Sequence, residues 1–123
     1  MTPQATLALK RESLSTNRLA SRLGVQPAQI EARRRAGELL AVRPPGNWEY
    51  LYPAWQFNGG GKALPIVQHL LSETRKAGLD ERSLYEVLNR RTGLVSAGRV
   101  VDLMRAGRGE HVVELVRAEG GRR

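Results

Sequence analysis

The sequence has no cysteine and only two histidines among its 123 residues. Without cysteine, the chain can form no disulfide, no thiolate metal site and no cysteine nucleophile. His69 and His111 lie far apart and outside any H-x-x-x-H pattern, so a catalytic zinc would lack ligands. We therefore predict no metal and no cofactor, and we expect both histidines to be ordinary helix-surface or core residues.

Long apolar runs are also absent, since none approaches the roughly 20 residues that a helix needs to cross a bilayer. The N-terminus lacks the apolar stretch of a signal peptide, so we expect a cytoplasmic protein without membrane contact. Residues 59–62 lack the spacing and the Ser or Thr of a phosphate-binding P-loop, and no carboxylate pair is placed for acid–base work. We expect no enzyme activity.

Acidic residues are fewer than basic ones: the chain has 12 Asp and Glu and 20 Lys and Arg, which gives a net charge of +8. With 41% hydrophobic and 26% charged residues, the composition is that of a folded domain. The charge points to a polyanionic partner, nucleic acid before membrane. Residues 1–47 hold eight basic and three acidic residues, whereas residues 48–123 hold twelve and nine, so the excess is concentrated at the front.

Residues 1–37 carry the start and stop signals of three helices. Thr2 is a candidate N-cap for a first helix over residues 1–13, and Ser15 is a cap for a second helix that Gly24 ends. A third helix opens at Pro27, which suits a first turn, and ends before Gly37. The short connection between the second and third helices predicts a helix-turn-helix.

The rest of the chain predicts a small hairpin followed by helices. Residues 39–43 and 48–52 are predicted strands, joined by a Pro-Pro-Gly-Asn turn, and such a hairpin beside a helix-turn-helix is a wing. Three consecutive glycines mark residues 58–63 as a linker. Four further helices are predicted at residues 65–77, from Asp80 to about Arg91, at residues 100–105 and at residues 111–119, before a flexible tail over residues 120–123.

The segment STNRLASRLGV, residues 15–25, resembles the first helix and turn of bacterial helix-turn-helix regulators. The family sets alanine, glycine and an aliphatic residue at positions that correspond here to Ala20, Gly24 and Ile30, and all three match. The segments RAGELLAVR, residues 35–43, and YPAWQF, residues 52–57, are similar to the wing of MerR-like and excisionase-like proteins. The resemblance implies a winged helix-turn-helix that binds double-stranded DNA.

Within this resemblance, residues 27–36 form the recognition helix, which enters the major groove. Gln26, Gln29 and Arg33 are the candidates for base contacts, because Gln can pair bidentately with adenine and Arg with guanine. The other candidate DNA contacts are Thr16, Arg18 and Arg22 near phosphates, Arg43 and Asn47 in the minor groove, and Arg34. For the triplet Arg33 to Arg35 an alternative is open, in which Arg34 and a neighbour form only a solvated face or ion pairs with Glu31 and Glu38.

The aromatic residues are concentrated just after the basic segment, and two interpretations of them are open. They can form the hydrophobic core of a small domain, which we favour because each buries roughly 150–250 Å². They can instead form a stacking platform for single strands or RNA. Five of the six aromatic residues lie within residues 48–57: Trp48, Tyr50, Tyr52, Trp55 and Phe57.

The C-terminal half has a fainter resemblance of its own. The segments LVSAGRVVDLMRAG, residues 94–107, and HVVELV, residues 111–116, are similar to the C-terminal part of Xre/MbcA/ParS-type antitoxins. That family often has proline where Val100 stands here. The resemblance implies that the last helices contact a toxin or another protein.

The sequence thus predicts a mainly α protein with a small two-stranded β wing. Residues 1–57 are expected to form a winged helix-turn-helix and residues 64–119 a C-terminal helical domain for oligomerisation or partner binding. The expected function is that of a sequence-specific, double-stranded DNA-binding transcriptional regulator, acting as a homodimer. The alternatives are an antitoxin whose C-terminal helices bind a toxin, and a single-strand or RNA-binding protein.

Overall fold

The computed structural model describes residues 1–91 and 98–121. Within these ranges the protein is mainly helical and has a small two-stranded antiparallel sheet, which confirms the predicted class at that level. None of the described helices combines the length and apolar character needed to traverse a lipid bilayer. The elements are α1 Pro3–Glu12, β1 Ser13–Ser15, α2 Thr16–Leu23, α3 Pro27–Arg35, β2 Leu51–Pro53, a 3-10 turn Ala54–Gln56, α4 Pro65–Lys76, α5 Glu81–Asn89, α6 Val100–Arg105 and α7 Gly109–Gly121.

The first three helices begin and end where their caps predict. Thr2 Oγ1 accepts the Ala5 N–H at 3.1 Å and Ser15 Oγ accepts the Arg18 N–H at 3.2 Å. Gly24 ends α2 in the left-handed conformation, with φ of 70°, and this turn leads directly into α3. The helix-turn-helix core is closed by apolar side chains that are at most 4% exposed: Leu19, Ala20, Ile30 and Leu39.

The sheet differs from the predicted hairpin. β2 pairs with β1, so that Leu14 lies opposite Tyr52, and the predicted partner strands at residues 39–43 and 48–52 meet only at one bridge between Val42 and Leu51. Residues 39–42 are all buried and do not alternate between a buried and an exposed face. The fully buried side chain of Gln56 accepts the Leu40 N–H and donates to the Leu40 carbonyl, both at 2.8 Å. These two backbone groups therefore do not pair with a neighbouring strand.

The glycine-rich segment at residues 58–63 forms a closed loop. The Asn58 N–H donates to the Lys62 carbonyl at 2.8 Å, and Asn58 Oδ1 accepts the N–H groups of Gly60 and Lys62. Gly61 lies against α2, because a Cβ atom there would be 2.7 Å from Leu23 Cδ2. The segment connects the two halves and also packs on the first one.

The main core joins α1 to the C-terminal helices. Ala5 and Leu9 of α1, together with Leu40 and Val42, are buried in one cluster with the apolar faces of α4 to α7. The helices end close to the glycines that predict their ends: α4 ends at Lys76, two residues before Gly78, and α6 ends at Arg105, two residues before Gly107. Both glycines have positive φ. The domain boundaries themselves remain a prediction.

The last helix is longer than the predicted range of residues 111–119. α7 begins at Gly109 and includes Gly120, where a Cβ atom would lie 2.6 Å from Ala77 Cβ. Glycine therefore permits a close approach of α7 to the end of α4. Residues 94–97 of the antitoxin-like segment and residues 122–123 of the predicted tail lie outside the described ranges.

Candidate nucleic-acid interface

The exposed face of α3 carries the three predicted base contacts. Gln26, Gln29 and Arg33 are spaced i, i+3 and i+7, and each is exposed. Gln29 Oε1 accepts the Gln26 N–H at 2.8 Å, which caps the first turn of the helix. Arg33 has neither an ion pair nor a side-chain hydrogen bond to any described residue. The opposite side of the helix is anchored by Ile30, which is fully buried.

The arginine triplet is divided among three environments. Arg33 is exposed, whereas the guanidinium of Arg34 lies 4.0 Å from the centroid of the Tyr50 ring and its Nε is buried. Arg35 pairs with Glu31 at 3.8 Å. Of the ion pairs considered for Arg34 and a neighbour, the one with Glu31 is formed by the neighbour, Arg35, and Arg34 makes a cation–π contact with Tyr50 instead.

The predicted phosphate contacts on α2 lie at its two ends. Thr16 Oγ1 donates to the hydroxyl oxygen of Tyr52 at 3.4 Å, so this side chain is partly engaged in the fold. Arg18 and Arg22 are one helical turn apart and exposed. In the described part of the chain neither has an ion-pair partner.

Residues 44–49 form a loop, which includes the predicted turn at residues 44–47 and the first two residues of the predicted strand at residues 48–52. The Arg43 guanidinium lies 5.4 Å from the Tyr50 centroid, so Arg34 and Arg43 both contact the same ring. The Arg43 carbonyl accepts a hydrogen bond from Arg82 Nε at 2.7 Å, which ties the base of the loop to α5. Asn47 Nδ2 donates to the Glu49 carbonyl at 2.7 Å and shapes the tip.

The aromatic residues fall into two groups. Tyr52 is fully buried in the helix-turn-helix core, as expected for a core residue. Trp48 is 93% exposed at the tip of the loop, so the core interpretation is wrong for this residue. The signal for its exposure is its place directly after the Pro-Pro-Gly-Asn turn, where side chains leave the packed surface.

An ionic cluster at the end of α1 was not identified from the sequence. The Glu12 carboxylate accepts hydrogen bonds from the Tyr85 hydroxyl, from Trp55 Nε1 at 3.2 Å and from both terminal nitrogens of Arg99 at 3.2 and 2.9 Å. Burial, together with the bond to Glu12, raises the pKa of the Tyr85 hydroxyl well above 10, so it stays a donor. The hydrogen bond to Glu12 likewise raises the pKa of Arg99.

No group of three or more His, Asp or Glu side chains in the described ranges could hold a metal ion. Exposed amide and guanidinium groups stand on α3, guanidinium groups line α2, and an exposed indole stands on the loop.

No protein-family model matches the chain, and no curated protein matches it. The fold is similar to the NMR structure of Rv2175c, with a TM-score of 0.72. The match covers 88% of this chain and 80% of that chain at 24% sequence identity. At this identity the similarity supports the fold, which thus recurs in a second sequence.

Proposed function

We propose that the protein is a sequence-specific, double-stranded DNA-binding regulator of transcription, of the winged helix-turn-helix type. The observation that carries the proposal is the exposed face of α3, where Gln26, Gln29 and Arg33 stand on a helix held from behind by α2. A helix presented in this way fits the major groove, where base edges are read.

The cap formed by Gln29 is compatible with base recognition. Its amide oxygen accepts the Gln26 N–H through one lone pair and keeps a second, while the amide NH₂ keeps its donors. Gln29 can therefore bond adenine bidentately without losing the cap, and the cap holds the side chain at the start of the helix. Arg33 forms no ion pair or side-chain hydrogen bond with any described residue, so its guanidinium is available to bond guanine bidentately.

The loop over residues 44–49, at the place of the predicted wing, supports a second contact. Arg43 lies at the base of a loop that is tied to α5, and Tyr50 holds Arg43 and Arg34 close to each other. Arginine side chains held in this way are suited to the negative potential of a narrow minor groove. Arg18 and Arg22 on α2 would contact the phosphates beside the major-groove site.

A single short helix reads few base pairs, so we expect two copies of the chain to bind two half-sites. The dimer places two α3 helices about one or more helical turns apart, roughly 34–36 Å for one turn. The proposal therefore predicts an operator with two-fold symmetry.

The test is a duplex selected from a random pool by the wild-type protein. Arg33→Ala is expected to weaken binding by about 1–3 kcal/mol and to relax the preference at one base pair. Gln29→Glu keeps the acceptor of the helix cap but removes the amide donors, so it should lose discrimination while the unfolding midpoint is retained. The measurements are fluorescence anisotropy with matched and mismatched duplexes, and thermal unfolding.

Arg35→Ala is the matched control, because Arg35 is on the same helix, carries the same charge and is paired with Glu31. It should lower affinity slightly and equally for all sequences. Equal effects of Arg33→Ala and Arg35→Ala would contradict base reading by α3. Tighter binding of a polypyrimidine strand than of any duplex, lost in Trp48→Ala, would favour the single-strand alternative.

A further inference from the structure

We infer that a basic groove, lined by Arg11, Arg18, Arg22 and Arg105, holds the phosphate backbone that flanks the α3 site on the same duplex. This inference rests on the proposed function. It extends the DNA-binding surface from the helix-turn-helix to α6, in the C-terminal half, and assigns roles to Arg11 and Arg105.

The groove is formed by two adjoining cavities of about 820 and 570 Å³. The larger cavity is bordered by α2, α6 and the C-terminal end of α1. The smaller cavity lies between α2 and the glycine-rich segment at residues 58–63, called the glycine loop below. Both share the walls formed by Leu14, Ala54, Phe57, Asn58 and Gly59, so they form one continuous depression.

The charge of the groove is strongly positive. Among the described lining residues Glu12 is the one acid, and its carboxylate is already bound by Arg99, Tyr85 and Trp55. The other four arginines are exposed and have no ion pair within the described ranges: Arg11, Arg18, Arg22 and Arg105. A negatively charged chain therefore meets guanidinium groups along the whole groove.

The path of the groove begins at the predicted DNA contacts. Arg18 and Arg22 lie one turn apart on α2, which packs against α3, so a backbone leaving α3 passes them first. Arg11 and Arg105 line the same cavity as Arg18 and continue the row beyond it. The glycine loop leaves space for the DNA backbone, since a Cβ atom added at Gly59 would meet nothing within 4 Å.

A polyanionic chain fits the groove better than a small anion. Each arginine is exposed, and an exposed charge pair contributes only about 0.2–1 kcal/mol. The four side chains come from three separate helices and line two adjoining cavities. A ligand that touches several of them at once gains the sum of these contributions and releases counterions, as DNA does.

The experiment compares Arg11→Gln and Arg105→Gln with two control variants that remove the same charge outside the groove. Lys10 directly precedes Arg11, and Arg108 lies three residues after Arg105. Both are exposed and line neither cavity, so Lys10→Gln and Arg108→Gln are the controls. Affinity is measured for a duplex of about 10 base pairs, one helical turn, and for one of about 30 base pairs, at several salt concentrations.

The groove variants should weaken binding of the long duplex by about 1.4- to fivefold, the range of an exposed ion pair. Each should also reduce the slope of log affinity against log salt by about 0.9, the value for one lost phosphate contact. Affinity for the short duplex should be unchanged in all four variants. The controls should weaken binding of the long duplex less than the groove variants do. Gly59→Asp, which places a negative charge in the groove without a steric clash, should weaken long-duplex binding further.

Three results would overturn the inference while leaving the proposed function intact. One is a long-duplex affinity that falls equally in groove and control variants. Another is an equal loss on the short and long duplexes. The third is saturable binding of inorganic pyrophosphate that Arg105→Gln abolishes although duplex affinity stays the same. Failure of the wild-type protein to bind any duplex would instead contradict the proposed function itself.

Discussion

Glu12, the last residue of α1, connects three other parts of the structure through one carboxylate. Its partners are Trp55 after β2, Tyr85 on α5 and Arg99 before α6. Arg99 also donates to Asn89 Oδ1 at 3.0 Å, so the ion pair belongs to a network. Since both charges are only partly exposed, removing one leaves the other poorly compensated.

Glu12→Ala is expected to lower the free energy of unfolding by about 2–3 kcal/mol, because Arg99 and Tyr85 lose a charged acceptor. Tyr85→Phe removes one donor only and should cost about 1 kcal/mol. Urea unfolding followed by circular dichroism measures both values. A smaller loss for Glu12→Ala than for Tyr85→Phe would show that the carboxylate is not the centre of the network.

At the scale of elements, the turn between α2 and α3 decides how α3 is held against α2. Gly24 adopts φ of 70° and the Val25 N–H donates to the Ala20 carbonyl at 3.0 Å, which closes α2. The left-handed conformation favours glycine, because a Cβ atom crowds the neighbouring carbonyl oxygen. Space is not the constraint here, since a Cβ atom at Gly24 would meet nothing within 4 Å.

Gly24→Ala should therefore destabilise the protein by about 1–2 kcal/mol, from backbone conformation alone. Gly59→Ala is the control, because Gly59 also has open space for a Cβ atom and does not have positive φ. That variant should be neutral or slightly stabilising. Thermal and urea unfolding check the difference, and equal effects at the two glycines would contradict the role of the turn.

At the scale of the whole molecule, α7 is tied to α4 by an ion pair between Arg117 and Glu73, with Nε–Oε2 at 3.1 Å. Lys76 lies near the same carboxylate at 3.8 Å. The hydrogen bond from Arg117 lowers the pKa of Glu73 below its ordinary value of 4.5. A carboxyl with a lowered pKa stabilises the folded state while it is ionised.

The Glu73 contribution is present above pH 4.5, the ordinary value, and is lost as the pH falls through the lower pKa of the folded state. We expect Glu73→Gln to lower the midpoint of thermal unfolding at neutral pH and to reduce its fall between neutral and acid pH. Glu49→Gln is the control, because Glu49 is exposed and forms no ion pair with any described residue. An acid dependence that is the same in Glu73→Gln and in the wild type would exclude this contribution.

Much of the element order follows from residues close together in sequence. The caps Thr2, Ser15 and Asp80 bond N–H groups three residues away, so a local pattern suffices to place three helix starts. Ser13–Ser15 carries no strand signal and becomes a strand because Leu51–Pro53 lies beside it. Likewise, the side chain of Gln56 bonds the backbone of Leu40, in place of the predicted partner strand, only because the fold brings these two residues together.

For the candidate site, the sequence by itself determined which residue types stand near the helix-turn-helix and how its two helices begin and end. The tertiary structure decided which of those side chains stay available: Arg33 is exposed, Arg34 lies on Tyr50 and Trp48 points out of the core. It also brought Arg11 and Arg105 to one groove. Caps and turns act over a few residues, whereas contacts between distant residues exist only once the helices pack, and the buried core sets that packing.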